Sequence, residues 1–208
     1  MSGFYASLRI VSQRFYLDVP TGVSRLANGQ SIPFANGAPY WRGTVTLDQA
    51  AHFDADYEVD LMRLMRPGET FEIFDTRFNG PRFDPGGVVL GAATPVLHTL
   101  NSDNRRIRVS GLPGGYVLSK GDYVGLRLGS DPVRLGLYRV ESTVTASGGG
   151  LTPLFAVEPH IRPGTAPGDP VQLVRPVCRA RLSSGSFGEG ARRVWTEGAT
   201  FQWEETLQ

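Results

Sequence analysis

Twenty-six glycines and 15 prolines punctuate this chain of 208 residues, and they fall between short apolar runs. Proline withdraws a backbone donor and glycine favours turns, so an element of any length has few places to form. Frequent turn residues between brief apolar runs are the pattern of a β-rich chain. Residues 5–11, 15–19 and 40–47 are the first strand candidates. In Tyr40-Trp41-Arg42-Gly43-Thr44-Val45-Thr46-Leu47, alternation puts Trp41, Val45 and Leu47 on one face, interrupted by Gly43. The opposite face carries Arg42, Thr44 and Thr46, so that side is predicted to be wet or to meet a partner.

One segment departs from the pattern. Phe53, Tyr57, Leu61 and Leu64 follow spacings of four, four and three, which predicts a helix over 49–65. Asp48 is placed as its N-cap, Arg63 and Arg66 sit near its negative end, and Pro67-Gly68 stops it. A strand is expected over 70–78, with Phe71, Ile73 and Asp75 on one side.

After Gly87 helical periodicity disappears. Short strands are predicted at 106–109, 123–128, 135–140, 154–157 and 171–174, separated by Gly/Pro-rich turns. That spacing suits a small closed barrel of OB-like or SH3-like type. Segments 178–182 and 199–204 read as a final hairpin, too short to stand alone. The expected organisation is one β-domain over 1–87 plus 177–208, with a barrel inserted over 88–176. The fold class is mainly β with one helix.

With 40% apolar residues the chain can build a core, and its net charge of +1 gives no electrostatic case for nucleic acid or an anionic membrane. Cys178 is the sole cysteine, so no internal disulfide forms. No apolar run is long enough to span a membrane. The opening Met1-Ser2-Gly3-Phe4-Tyr5 lacks the order of a signal peptide, and synthesis in the cytoplasm is expected.

Candidate chemistry is sparse. Asp54, Asp56, Glu58 and Asp60 alternate as in a calcium loop, but Val59 and Met65 stand where glycine and glutamate are needed. They read as the acidic start of the helix. His52, His98 and His160 are too dispersed for a zinc site without help. Gly111-Leu112-Pro113-Gly114-Gly115 lacks the following helix of a phosphate loop. Cys178 lies in an apolar strand, and Ser183, Ser184 and Ser186 have no histidine nearby. Asp75 and Asp84 adjoin Arg77 and Arg82 and are expected to pair with them. Arg105, Arg106, Arg108, Arg179, Arg181, Arg192 and Arg193 lack the interleaved aromatics of a single-strand binder. No enzyme, metal site or cofactor is expected.

The order of motifs nevertheless has a likeness. Pro39-Tyr40-Trp41-Arg42-Gly43-Thr44-Val45-Thr46-Leu47 leads to Leu61-Met62-Arg63-Leu64-Met65-Arg66-Pro67-Gly68 and Phe71-Glu72-Ile73-Phe74-Asp75. This run resembles the N-terminal module of distal tail proteins of long-tailed (siphovirus-like) bacteriophages and related gene-transfer particles. Gly111–Leu118 with Gly121–Leu126, and Glu158–Gly168, are similar to the barrel inserted in such proteins; Phe201-Gln202-Trp203-Glu204-Glu205 resembles their closing strand. The resemblance implies a β-sandwich ring domain and a ring, typically of six subunits, in the virion at the tail tip. Its partners would be the tail tube protein, the baseplate hub protein, and tape-measure protein or DNA passing through the lumen, with no membrane. Within that ring, Arg42, Thr44 and Thr46 are the candidate lumen or subunit-contact residues. The alternatives are a carbohydrate-binding barrel module for host-surface recognition and a tail tube subunit; the insertion favours the distal position over the tube.

Overall fold

The computed structural model describes residues 3–51, 56–130, 132–185, 191–192, 195–196 and 198–206. It is mainly β, with 41% strand and 6% helix, curled sheets and one nearly closed, barrel-like sheet. In chain order the first elements are α1 (Phe4–Ser7), β1 (Ile10–Asp18), β2 (Thr21–Arg25), β3 (Ser31–Ala35), β4 (Tyr40–Leu47), β5 (Ala50–Ala51), α2 (Tyr57–Leu64) and β6 (Phe71–Ile73). Then come β7 (Val96–Leu100), β8 (Arg106–Ser110), β9 (Val117–Leu118), β10 (Tyr123–Leu128), β11 (Arg134–Val140), β12 (Val144–Thr145) and β13 (Phe155–Glu158). The last are β14 (Val171–Gln172), β15 (Cys178–Leu182), β16 (Ala191–Arg192), β17 (Trp195–Thr196) and β18 (Thr200–Glu205).

The chain forms two compact units. One takes the described residues within Leu8–Glu69 and Arg181–Glu205, the other those within Met1–Ser7, Thr70–Ala180 and Thr206–Gln208. In the first, β4 lies between β1 and β18, antiparallel to both. Trp41, Val45 and Leu47 are buried on one face of β4, as the alternation predicts. Phe15 and Trp203 both pair in register with Gly43, and their rings close over it at 4.8 Å. Phe15 also meets Trp41 at 5.5 Å. The small residue is required there, because a Cβ would strike the Arg14 carbonyl.

The helix is shorter than expected. Ala50 and Ala51 pair with Thr196 and Trp195, so this stretch is strand and α2 begins at Tyr57. The cap is Asp56, not Asp48, whose carboxylate accepts from the adjacent Gln49 N–H. Leu61 and Leu64 are buried as the stripe requires, while Phe53 lies outside the described residues. A second helix, α1, replaces the strand expected from residue 5. One turn puts the adjacent Phe4 and Tyr5 against Phe71, at 6.1 and 6.4 Å, where a strand would send them to opposite faces. Ser7 Oγ donates to the Phe4 carbonyl at 2.7 Å and tightens that turn.

In the other unit β6 pairs with β15, and it ends at Ile73 rather than 78. The break has a local cause, since the Asp75 carboxylate accepts the Arg77 N–H at 3.0 Å and turns the chain. The barrel-like sheet runs β14-β10-β11-β13-β8-β7. Its ends meet through a Val96–Pro170 bridge, with Leu97 N–H donating to the Asp169 carbonyl at 2.9 Å. Leu97, Ile107, Leu118, Val124 and Val157, all fully buried, centre its core. The strands expected from sequence after Gly87 are present within a residue or two; β7, β9 and β12 were not anticipated. Among the described residues no helix is long and apolar enough to cross a membrane.

Candidate functional site

Arg42, Thr44 and Thr46 are each half-buried on the outward face of β4. Register places their neighbours. Thr46 lies between Ser12 and Thr200, Thr44 between Arg14 and Gln202, and Arg42 between Tyr16 and Glu204. Directly opposed residues share a face, so these form one polar surface across three strands. Thr200 and Thr46 hydroxyls lie 3.4 Å apart. The other face carries the aromatic core, with Gln13 opposite Val45 and the buried Glu205 carboxylate accepting the Trp41 N–H at 2.9 Å.

Charges on the surface are mostly matched. Arg42 Nη1 donates to Asp18 Oδ2 at 2.9 Å, and that bond, with Tyr16 nearby, pushes the guanidinium further above its ordinary range. Arg181 donates to Glu204 Oε1 through Nε at 2.8 Å and Nη2 at 2.7 Å. Arg14 lies over the Tyr16 ring at 5.1 Å. These pairs are solvent-accessible and each is worth under about 1 kcal/mol. Arg42→Ala is accordingly expected to change stability by less than about 1 kcal/mol, measured by urea titration; a larger loss would mean Arg42 is a packing residue. The surface offers hydroxyls, and carboxylates held in pairs with arginine.

The other residues singled out by sequence are dispersed. Asp54, His52, Ser186 and Arg193 lie outside the described residues. Asp56 precedes α2, and Glu58 and Asp60 occupy its first turn. Among the described residues no group of His, Cys, Asp and Glu has the geometry to hold a metal. His98 and His160 are exposed, and Cys178 is fully buried. Arg105 pairs with Glu158 at 3.1 Å and Arg106 with Asp103 at 2.7 Å.

Asp75 pairs with Arg77 as expected, at 2.8 Å, but Asp84 does not turn to Arg82. Its Oδ1 accepts the Val89 N–H at 2.8 Å, and Oδ2 accepts the Leu90 N–H at 2.9 Å and the Tyr116 hydroxyl at 2.9 Å. Burial pushes the Asp84 carboxyl up, but these bonds outweigh it and hold it below the ordinary value. Asp122 accepts the Arg82 N–H at 3.2 Å and the Ser119 N–H at 2.7 Å. There burial prevails and raises the group. Asp75 also accepts from the Tyr123 hydroxyl at 3.2 Å; burial raises it, and the Arg77 bonds bring it below its ordinary value. Three buried aspartates thus fasten the segment after β6. Sequence reading missed this role; the only trace was aspartate beside Gly/Pro turns.

The described residues form grooves. One of about 360 Å³ lies between residues 64–69 and 181–185 with Glu204. Another, about 280 Å³, is lined mainly by aliphatic residues such as Leu90, Pro95, Val171 and Leu173. No protein-family model matches the chain, and no curated protein matches it by sequence.

Proposed function

We propose that the chain is a structural virion subunit, a distal tail or tail-tip adaptor protein that forms a ring, of six copies, between a tail tube and a baseplate hub. In this reading the unit containing β1, β4 and β18 is the β-sandwich ring domain and the barrel-like sheet is an inserted OB-like or SH3-like module. The domain limits proposed, 1–87 plus 177–208 for the ring domain and 88–176 for the inserted module, are wider for the ring domain than the compact unit around β4, which spans Leu8–Glu69 and Arg181–Glu205. The observation that carries the reading is the two-sided character of β4: an aromatic core beneath, and above it a hydroxyl-rich face with matched charges. Such a face suits a lumen through which tape-measure protein or DNA slides without adhering. β1 lies at the edge of its sheet, and closed cyclic packing would cover that edge.

Negative-stain imaging and light scattering test the ring directly, with annular particles expected. Thr44→Phe and Thr46→Phe, introduced into particles, are expected to leave the fold intact and lower DNA delivery about tenfold or more, since a bulky apolar pair would line the passage. Normal assembly together with normal delivery would remove these residues from both lumen and subunit contact. A monomer with sugar affinity would favour the host-recognition module instead.

A further inference from the structure

Three of the chain's five asparagines stand before glycine: Asn28-Gly29, Asn36-Gly37 and Asn79-Gly80. A glycine after asparagine lets the main-chain nitrogen approach the side-chain amide carbon, since no Cβ stands in the way. Attack there needs that N–H unbonded and the asparagine side chain able to turn. The structure treats the three pairs differently.

Asn28, in the β2–β3 turn, is held at every point. Its Oδ1 accepts the Gln30 N–H at 3.0 Å and its Nδ2 donates to Gln30 Oε1 at 3.3 Å. The Gly29 N–H donates to the Leu26 carbonyl at 3.0 Å. Asn79 Oδ1 accepts from Arg175 Nε at 2.7 Å, and its carbonyl accepts the Gly86 N–H at 3.2 Å. Gly80 is buried there, with the Asp84 carbonyl so close that even a Cβ would not fit.

Asn36 is different. It follows β3 on the exposed stretch 35–38, and its own N–H donates to the Pro20 carbonyl at 2.8 Å, which steadies the backbone before it. Beyond that point neither its side chain nor the Gly37 N–H has a hydrogen-bond partner among the described residues. A Cβ on Gly37 would meet only Pro20 Cγ, 3.9 Å off, so the approach is open.

We propose that Asn36 is a site of spontaneous deamidation through a cyclic imide with Gly37, and that the fold protects Asn28 and Asn79 from the same reaction. The Gly37 nitrogen gives its proton to water and bonds to Asn36 Cγ. Nδ2 leaves as ammonia, and the imide remains. Water then opens the imide at either carbonyl. Breaking the bond from Gly37 N to Cγ gives aspartate; breaking the bond to the main-chain carbon gives isoaspartate, whose main chain runs through Cβ. In sum, an amide and a water become a carboxylic acid and ammonia. Each conversion takes the formal net charge from +1 to zero, and isoaspartate lengthens the path from β3 to β4. The reaction needs no partner, so it stands apart from the tail-tip reading.

Peptide mapping of the full chain tests it. Trypsin releases Leu26–Arg42, which carries both Asn28 and Asn36, and Phe78–Arg82, which carries Asn79. Native protein is held in heavy-oxygen water at mildly alkaline pH, digested in ordinary water and read by fragment masses. Heavy oxygen marks conversion that took place before digestion. Asn36 is expected to convert at least about tenfold faster than Asn28 and Asn79, whose bonds must first break. Its product is expected to be a mixture of aspartate and isoaspartate, and in urea the three sites convert at similar rates. Gly37→Ala, with room for its methyl, is expected to slow Asn36 at least about tenfold without moving the thermal melt. Conversion of Asn28 or Asn79 as fast as Asn36 in the native protein overturns the assignment, as does an Asn36 that converts only in urea. So does aspartate as the sole product, or a Gly37→Ala variant that converts at the wild-type rate.

Discussion

Gly43→Ala is expected to destabilise the unit built around β4 by about 2–3 kcal/mol, a large loss for the smallest possible addition. The new methyl would enter the Arg14 carbonyl of the neighbouring strand and meet the Trp203 ring at 3.2 Å. A backbone carbonyl cannot move aside without breaking the β1–β4 ladder, and the ring is held by Phe15. Trp203→Ala attacks the same cluster from the opposite direction and is expected to cost about 3–5 kcal/mol through the cavity it leaves. Trp203→Phe supplies the control. Trp203 Nε1 is buried with no hydrogen-bond partner among the described residues, so its removal forfeits no bond. The phenylalanine variant is expected to retain most of the stability, within about 1.5 kcal/mol. Urea denaturation followed by tryptophan fluorescence and circular dichroism reads all three. A Gly43→Ala midpoint equal to wild type would show that the strands are not packed this closely.

That glycine also marks how far the sequence was readable. The alternation of Trp41, Val45 and Leu47 identified β4 and its two faces, because a half-buried strand writes its burial pattern into every second residue. β10 and β11, buried at nearly every residue, were recovered instead as short apolar runs between Gly/Pro turns. Neither signal serves a strand that is exposed on both faces. Nothing in residues 21–35 shows a wet side and a dry side, since the whole hairpin is exposed, and so β2 and β3 went unseen. In α2 the stripe was extended upstream because Phe53 continued its spacing, whereas residues 50–51 are claimed by pairing with a strand some 145 positions later. Local periodicity has no access to such long-range pairing. The polar face of β4 was legible for the same reason as its core face. The aspartate clamps were legible only at Asp75 and the nearby Arg77; their phenol partners lie far away in sequence, 32 residues for Asp84 and Tyr116 and 48 for Asp75 and Tyr123.

Asp84 carries the other large effect. It is 3% exposed and accepts from two backbone N–H groups and a phenol. Asp84→Ala would leave three donors unpaired, the Tyr116 hydroxyl at a buried site and the Val89 and Leu90 N–H groups at part-buried ones. Each that water cannot reach costs about 1–3 kcal/mol, so a total loss of about 2–4 kcal/mol is expected. Asp84→Asn is expected to fall between, because one amide oxygen can serve only one side of the clamp while its NH2 faces donors on the other. Tyr116→Phe removes a single donor and should cost about 1 kcal/mol. The pH dependence follows from the directions of the shifts. Asp75 and Asp84 lie below the ordinary value of 3.8, so their stabilisation is present above that pH and is lost as pH falls through their folded values. Asp122 lies above 3.8 and has the opposite sign: its contribution is full below 3.8 and is lost as pH rises through its folded value. Wild-type stability is therefore expected to fall below about pH 4, and Asp84→Asn should make that acid limb shallower, because one of the two groups that must be protonated is gone while Asp75 remains. Denaturant midpoints between pH 2 and pH 6 decide the matter. An acid limb as steep in Asp84→Asn as in wild type would assign the acid sensitivity to other carboxylates.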